Sequence, residues 1–248
     1  MISLIPISDS NPTRRFPIMT VTIILVNVAI FFLVEPGFGQ TCRAQDYFAL
    51  HAAVPCQVKT CPSVPVRYCS TGAVQIPQRG TVAFLGAMVF ATFLHAGFLH
   101  IGGNMLFLWV FGNNIEDFLG RFRYVVFYLL GGLAAGFTQV FTHLHGIDRL
   151  IPAVGASGAI AAVMGAYLVL FPRARIRVLV PIFILFTVVQ LSAFVVLGLW
   201  FVFQFFTGAD TGVAWMAHVG GFLFGVIAIY LLGGRPDAER TLYPSGWR

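Results

Sequence analysis

The chain has 248 residues, of which 58% are apolar and 10% charged, and its mean hydropathy is +0.86. A soluble domain carries about 25% charged residues, so the composition excludes an ordinary water-soluble fold and points to an integral membrane protein with room for roughly six helical spans. The net charge of +6 does not indicate a nucleic-acid partner, because the basic residues sit in small groups between apolar runs, the pattern of a topology signal.

Residues 1–15 form a short polar N-terminal segment. Asp9, Asn11, Pro12, Arg14 and Arg15 precede the first apolar run, and no convincing small-residue cleavage site follows. The run over 16–34 therefore reads as an uncleaved transmembrane helix rather than a signal peptide. The loop over 36–81 holds all four cysteines, Cys42, Cys56, Cys61 and Cys69. An even count in one loop suggests two disulfides, with three connectivities open. A four-thiolate zinc site is the competing reading, but the spacing lacks paired CxxC knuckles.

Residues 82–94 are apolar but short, and read as a membrane-dipping element. Further spans are expected at about 97–116, 122–142, 154–171, 188–207 and 213–232. The stretch over 178–206 is long for one helix and short for two. Its second half is taken as the span, with an interfacial segment before it. Residues 233–248 form a polar tail. The domain plan is thus an N-terminal segment 1–15, a helical domain 16–232 and a tail 233–248.

Orientation follows from the 15 Lys and Arg residues. With six spans, ten of them fall on the side of the termini, including the close trio Arg173, Arg175 and Arg177. That bias puts both termini in the cytoplasm and the cysteine loop outside.

Strongly polar side chains inside spans are costly and call for a reason. Those singled out are His95, His100 and Asn104 around the second span, Ser157 at the top of the fourth and His218 in the sixth. At about 1.5 Å per residue, Ser157 and His218 would lie some 6–8 Å from the outer ends of their spans. His100 and Asn104 share one face of their helix at a similar depth. Each has a plain reading: a packing serine, a snorkelling histidine for His95, an amide joining helices for Asn104. A common depth is not required by packing alone.

Ser157, Ala161 and Gly165 form a row of small residues in one span, and Ala217, Gly221 and Gly225 form another beside His218. Such rows let two helix backbones approach closely, which would bring Ser157 and His218 within reach. An imidazole can take the proton that makes a serine hydroxyl nucleophilic. No intramembrane carboxylate is placed to orient His218, so the unit would be a dyad. The Ser157 N–H, His100 and Asn104 are candidate donors to a developing oxyanion.

Three segments resemble the signatures of the rhomboid intramembrane serine proteases: Gly155-Ala156-Ser157-Gly158, His95-x4-His100-x3-Asn104 and Ala217-His218-x2-Gly221-x3-Gly225. Gly112, Glu116 and Gly120 are similar to that family's GxxxExxxG. The resemblance covers residues 16–232 and implies an all-α, six-transmembrane helical bundle. It implies Ser157 as nucleophile and His218 as base, with His100 and Asn104 stabilising the oxyanion. It assigns supporting roles to His95, Gly155, Gly158 and Gly221 and a structural one to Glu116. It also implies a lateral gate made by the fifth span and the loop after it. The Trp-Arg pair common in the first loop of that family is absent before His95.

The expectation is thus a serine endopeptidase, a multi-pass protein of a bacterial cell membrane. It would cut single-span transmembrane substrates near the outer membrane face, with the lipid bilayer as its other partner and with no cofactor. Small or helix-weakening residues are expected near the cut. The alternative is a catalytically inactive relative that binds transmembrane clients. A haem or metal carrier using His100 and His218 leaves the GxSG turn unexplained, and a transporter would call for inverted repeats that are not visible.

Overall fold

The apolar runs fold as helices, although not to the expected lengths. The computed structural model describes residues 5–39, 41–69, 72–182, 185–206 and 214–235. Its helices are α1 (Ile18–Leu33), α2 (Cys42–His51), α3 (Thr81–Ala91), α4 (Phe98–Leu119), α5 (Arg121–Thr142), α6 (Ser157–Leu170), α7 (Ala193–Gln204) and α8 (Trp215–Leu231). Its strands are β1 (Ile5–Asp9), β2 (Val66–Cys69), β3 (Gly72–Val74), β4 (Arg175–Ile182) and β5 (Leu185–Ser192). The fold is predominantly helical, with two small antiparallel sheets, β1-β4-β5 and β2-β3.

The core is built around α6. Every residue from Gly158 to Tyr167 is buried, which follows from a sequence apolar on all sides and rich in Ala and Gly. Helices α4, α5, α7 and α8 surround it. The closest approach is to α8. A Cβ on Gly221 would overlap the Gly158 carbonyl oxygen, one on Gly225 the Ala162 carbonyl, and one on Gly165 the Phe222 carbonyl. The two small-residue rows meet face to face, and α6 and α8 are locked at backbone contact.

Two polar anchors hold the other side of the bundle. Glu116 near the end of α4 accepts from the backbone N–H groups of Met19 and Thr20 at 2.9 and 2.8 Å, and from Thr20 Oγ1 at 2.8 Å. It thereby satisfies donors that the first turn of α1 leaves without intrahelical partners. Asp9 in β1 accepts from Tyr167 Oη at 2.6 Å and Asn114 Nδ2 at 2.8 Å. This ties the N-terminal strand to α6 and α4.

The six-transmembrane expectation is corrected. Among the described residues, one helix, Arg121–Thr142, is long and apolar enough to cross a membrane. The α1, α6, α7 and α8 helices have 16, 14, 12 and 17 residues. At about 1.5 Å per residue they reach roughly 18–26 Å, short of a hydrocarbon core about 30 Å thick. The α4 helix has 22 residues but is not apolar enough, since it carries His100, Asn104, Asn113 and Asn114 as well as Glu116 and Asp117. The multi-pass placement in a bacterial membrane, and the sidedness derived from it, fall with that count.

The stretch over 178–206 is corrected as well. Strands β4 and β5 pair antiparallel, with Arg175 opposite Ser192 and Val178 opposite Val189. The segments RIRVLVPI and LFTVVQLS are rich in β-branched residues, which favour a pleated surface. β1 completes the sheet, with Asp9 opposite Ile176. The fifth apolar helix begins only at Ala193. The loop after it, over 207–213, and the tail beyond 235 lie outside the described residues.

Candidate active site

Ser157 is the first residue of α6, entered through Gly155 at φ +125°. That conformation is open to glycine at little cost. A side chain there would also collide, because a Cβ would come 2.8 Å from Cε1 and Nε2 of His100. Gly155 therefore lets the His100 ring lie against the turn that carries Ser157. The turn is pinned by the Gly155 N–H, which donates to the Ala91 carbonyl at 2.9 Å.

His218, in the first turn of α8, points at this turn. Its Nε2 lies 2.8 Å from Ser157 Oγ. Its Nδ1 lies 2.7 Å from Oε1 of Gln204, the last residue of α7. The Trp200 ring, one turn earlier on α7, sits 5.5 Å from the imidazole centroid to centroid. The α8 N-terminus is held from α5, where Gln139 Oε1 accepts from the Ala217 N–H at 3.2 Å.

His100 and Asn104 face the same space from α4. The Ala96 N–H donates to His100 Nδ1 at 3.3 Å, which leaves the ring proton on Nε2. The Asn104 Nδ2 is buried and has no hydrogen-bond partner. Ser157, His218, His100, Asn104, Trp200 and Trp215 line one cleft of about 530 Å³. That volume lies within the ordinary range for ligand sites. A smaller cavity of about 40 Å³ touches the other side of the Ser157 turn, walled by Ala91, Gly132, Ala135, Gly136 and Ala159.

His95 is fully buried rather than snorkelling at an interface. Its ring is edge-on to His100 at 5.3 Å. Its backbone N–H donates to Glu35 Oε1 at 2.9 Å, and burial pushes the Glu35 carboxyl up to about 7. Gly158 and Gly221 sit at the α6–α8 contact described above. Glu116 lies at the far end of α4, away from the cleft, at the start of α1. Cys56 and Cys61 form a disulfide, and Cys42 is also disulfide-bonded. The Cys69 side chain lies outside the described residues. Sulfurs held in disulfides are not free to act as the thiolate ligands of a zinc site.

Sequence reasoning missed Gln204 and Gln139. Each is a lone amide in a helix that is otherwise apolar on that stretch. The rule that drew attention to His100 and Asn104 applies to both. Gln204 lies inside the expected span 188–207, with Phe205 and Phe206 after it, and escaped because a single neutral amide among aromatic residues gives no hint of its partner.

Comparison with known proteins gives a consistent set of likenesses. A Rhomboid domain model matches residues 85–235, which include every residue of the cleft named above. The chain is 38% identical over 144 residues to Presenilin-associated rhomboid-like protein A, mitochondrial, of Danio rerio, covering 56% of this chain and 35% of that one. It is 32% identical over 143 residues to the Mus musculus Presenilin-associated rhomboid-like protein, mitochondrial, covering 56% and 36%. Rhomboid protein 1, mitochondrial, of Saccharomyces cerevisiae is 30% identical over 172 residues, covering 66% and 46%. The chain thus spans between about a third and under half of the length of these relatives.

Proposed function

We propose that this chain, which belongs to the rhomboid family, is a serine endopeptidase that cuts transmembrane protein substrates with a Ser157–His218 dyad. The observation that carries the reading is the 2.8 Å approach of Ser157 Oγ to His218 Nε2 inside a cleft. In the proposed reaction His218 takes the hydroxyl proton as Ser157 attacks a peptide carbonyl. The negative charge then develops on the carbonyl oxygen, where preorganised donors stabilise it. His100 Nε2–H and the unpaired Asn104 Nδ2 are those donors, joined by an N–H of the first α6 turn. Collapse of the intermediate returns the proton from His218 to the leaving amine and leaves an acyl group on Ser157. Water, activated by the same imidazole, releases it.

The remaining site residues have supporting parts. His95 fills the space behind His100, Gly155 admits the His100 ring, and Gly158 and Gly221 allow α6 and α8 to touch. Glu116 holds α1 to α4, and the disulfides brace the cysteine loop. Apolar side chains exposed on α1, α5 and α8, such as Leu33, Phe122 and Leu231, support contact with a lipid bilayer. A substrate segment in the same environment would have to unwind, because an intact helix withholds its carbonyls.

The small cavity beside Ser157 suits a small substrate side chain. A substrate with Ala at the acyl side of the cut is expected to be cleaved faster than one with Phe there, by at least about tenfold. Equal rates would contradict this use of the cavity. The dyad itself is tested with a fluorophosphonate, which reacts with activated serines. Purified protein is expected to carry the adduct on Ser157, and His218→Ala to abolish it. Labelling that persists without His218 would refute the base assignment.

A further inference from the structure

We infer that Gln204 is a positioning residue that holds His218 in the tautomer able to act as a base. This rests on the peptidase reading above and adds a third member to its dyad. Gln204 is 7% exposed and ends a helix whose sequence, AFVVLGLWFVFQ, has no other side-chain hydrogen-bond acceptor. Its Nε2 donates to the Trp200 carbonyl at 2.8 Å, one turn back on its own helix. With the amide reversed, Oε1 would face that carbonyl oxygen, acceptor against acceptor. The amide orientation is therefore fixed by α7 itself.

Oε1 is thereby presented to His218 Nδ1, 2.7 Å away. A carbonyl oxygen only accepts, so Nδ1 must carry the hydrogen. The neutral ring then has its lone pair on Nε2, facing Ser157 Oγ at 2.8 Å. In the other tautomer Nε2–H would point at the hydroxyl and could not take its proton. Gln204 thus does with a neutral amide what a carboxylate does in a triad. It fixes the tautomer and ring direction, while offering less stabilisation to the imidazolium. The carbonyl of Trp200 receives the amide and its ring lies tilted against the imidazole at 5.5 Å, so two residues one turn apart on α7 flank His218.

The test compares wild type with Gln204→Met, which keeps the shape and removes the acceptor, and Gln204→Glu, which keeps the acceptor and adds charge. Cleavage of a single-span substrate gives kcat, KM and the pH profile. Ring ¹⁵N NMR of histidine-labelled protein, with His218→Ala to assign the signal, gives the tautomer directly. His100, His143 and Asp148 also line the cleft, and all three are unchanged across the series.

We expect Nδ1–H at His218 in wild type. Gln204→Met should mix the tautomers and lower kcat about 10- to 100-fold with KM within about twofold, less than the roughly 10⁴-fold cost of a wrong tautomer in a carboxylate triad. Gln204→Glu should retain the Nδ1–H form and move the acidic limb of the profile to higher pH, since a carboxylate favours the charged ring. Equal losses in both variants, with the limb unmoved and Nδ1–H kept, would reduce Gln204 to a packing residue and overturn the inference. Nε2–H in wild type with cleavage intact would overturn it while leaving the dyad standing. Nδ1–H in wild type without Ser157-dependent cleavage would instead overturn the peptidase reading, and the positioning role with it. If Gln204→Met does not fold, the wild-type tautomer and the Gln204→Glu profile still decide.

Discussion

One ring nitrogen decides what the other can do, and His100 and His218 in the cleft use this in opposite senses. The Ala96 N–H donates to His100 Nδ1, so His100 presents a donor. Gln204 accepts from His218 Nδ1, so His218 presents a base. The assignment predicts separable effects. His100→Ala and Asn104→Ala would each remove one proposed oxyanion donor and should lower kcat about 10²- to 10³-fold, with KM changed far less. Steady-state kinetics on one substrate checks this, and a loss confined to KM would contradict it. Ser157, His218, His100 and Asn104 were legible in the sequence, because polar groups in apolar runs are few and helical spacing shares out their faces. Gln204 was not, because its partner lies 14 residues away across a change of element, and one neutral amide inside an aromatic run names no partner.

At the scale of elements, the contact between α6 and α8 carries the geometry. Gly221→Ala would drive its methyl into the Gly158 carbonyl, one residue from Ser157. Overpacking of this kind costs about 1–3 kcal/mol. A lower thermal midpoint should therefore accompany an activity loss larger than the stability loss explains, because the helices must part where the dyad sits. Unchanged activity in a folded Gly221→Ala protein would show that the contact is not what sets the Ser157–His218 distance. At the far end, Glu116→Ala leaves three donors at the start of α1 without their acceptor. Unfolding by denaturant should show a loss of about 2–4 kcal/mol, given about 1.5–3 kcal/mol for a charged hydrogen bond and incomplete additivity.

The small-residue rows that make this contact were readable as rows of period four. The β4–β5 strand pair was not, since a run of Val, Ile, Leu and Phe looks alike in a buried helix and a buried strand. What distinguishes it is tertiary: β1, from the N-terminus, pairs with β4, a partner that no local pattern names.

Across the whole molecule, the apolar helices stand where apolar runs were expected, while α2 inside the cysteine loop was not foreseen and several helices are shorter than their runs. Apolar runs extend past the hydrogen-bonded turns into strand and loop, so counting apolar residues overstates the helix and with it the number of spans. The segment between α1 and α4 shows how distant parts depend on one another. Glu35, just after α1, accepts from the backbone of His95, just before α4. Burial raises the Glu35 carboxyl from 4.5 to about 7. The folded chain therefore keeps a proton that the unfolded chain releases, and stability should fall as pH rises from about 4.5 to about 7. Glu35→Gln keeps the acceptor and removes the titration. Its thermal midpoint should draw ahead of wild type as pH rises through that window and hold its lead above it. A lead that is the same at pH 5 and pH 8 would contradict the linkage.

The most direct test of the whole account is cleavage of a purified single-span substrate by wild type, Ser157→Ala and His218→Ala. The account predicts one defined cut by wild type, and a loss of at least about 10³-fold in each variant, with the double variant no worse than either alone, as expected of residues that act as a unit. Cleavage that survives Ser157→Ala would contradict it outright. A folded wild type that binds such substrates and leaves them whole would make this rhomboid-family chain a client binder rather than a peptidase.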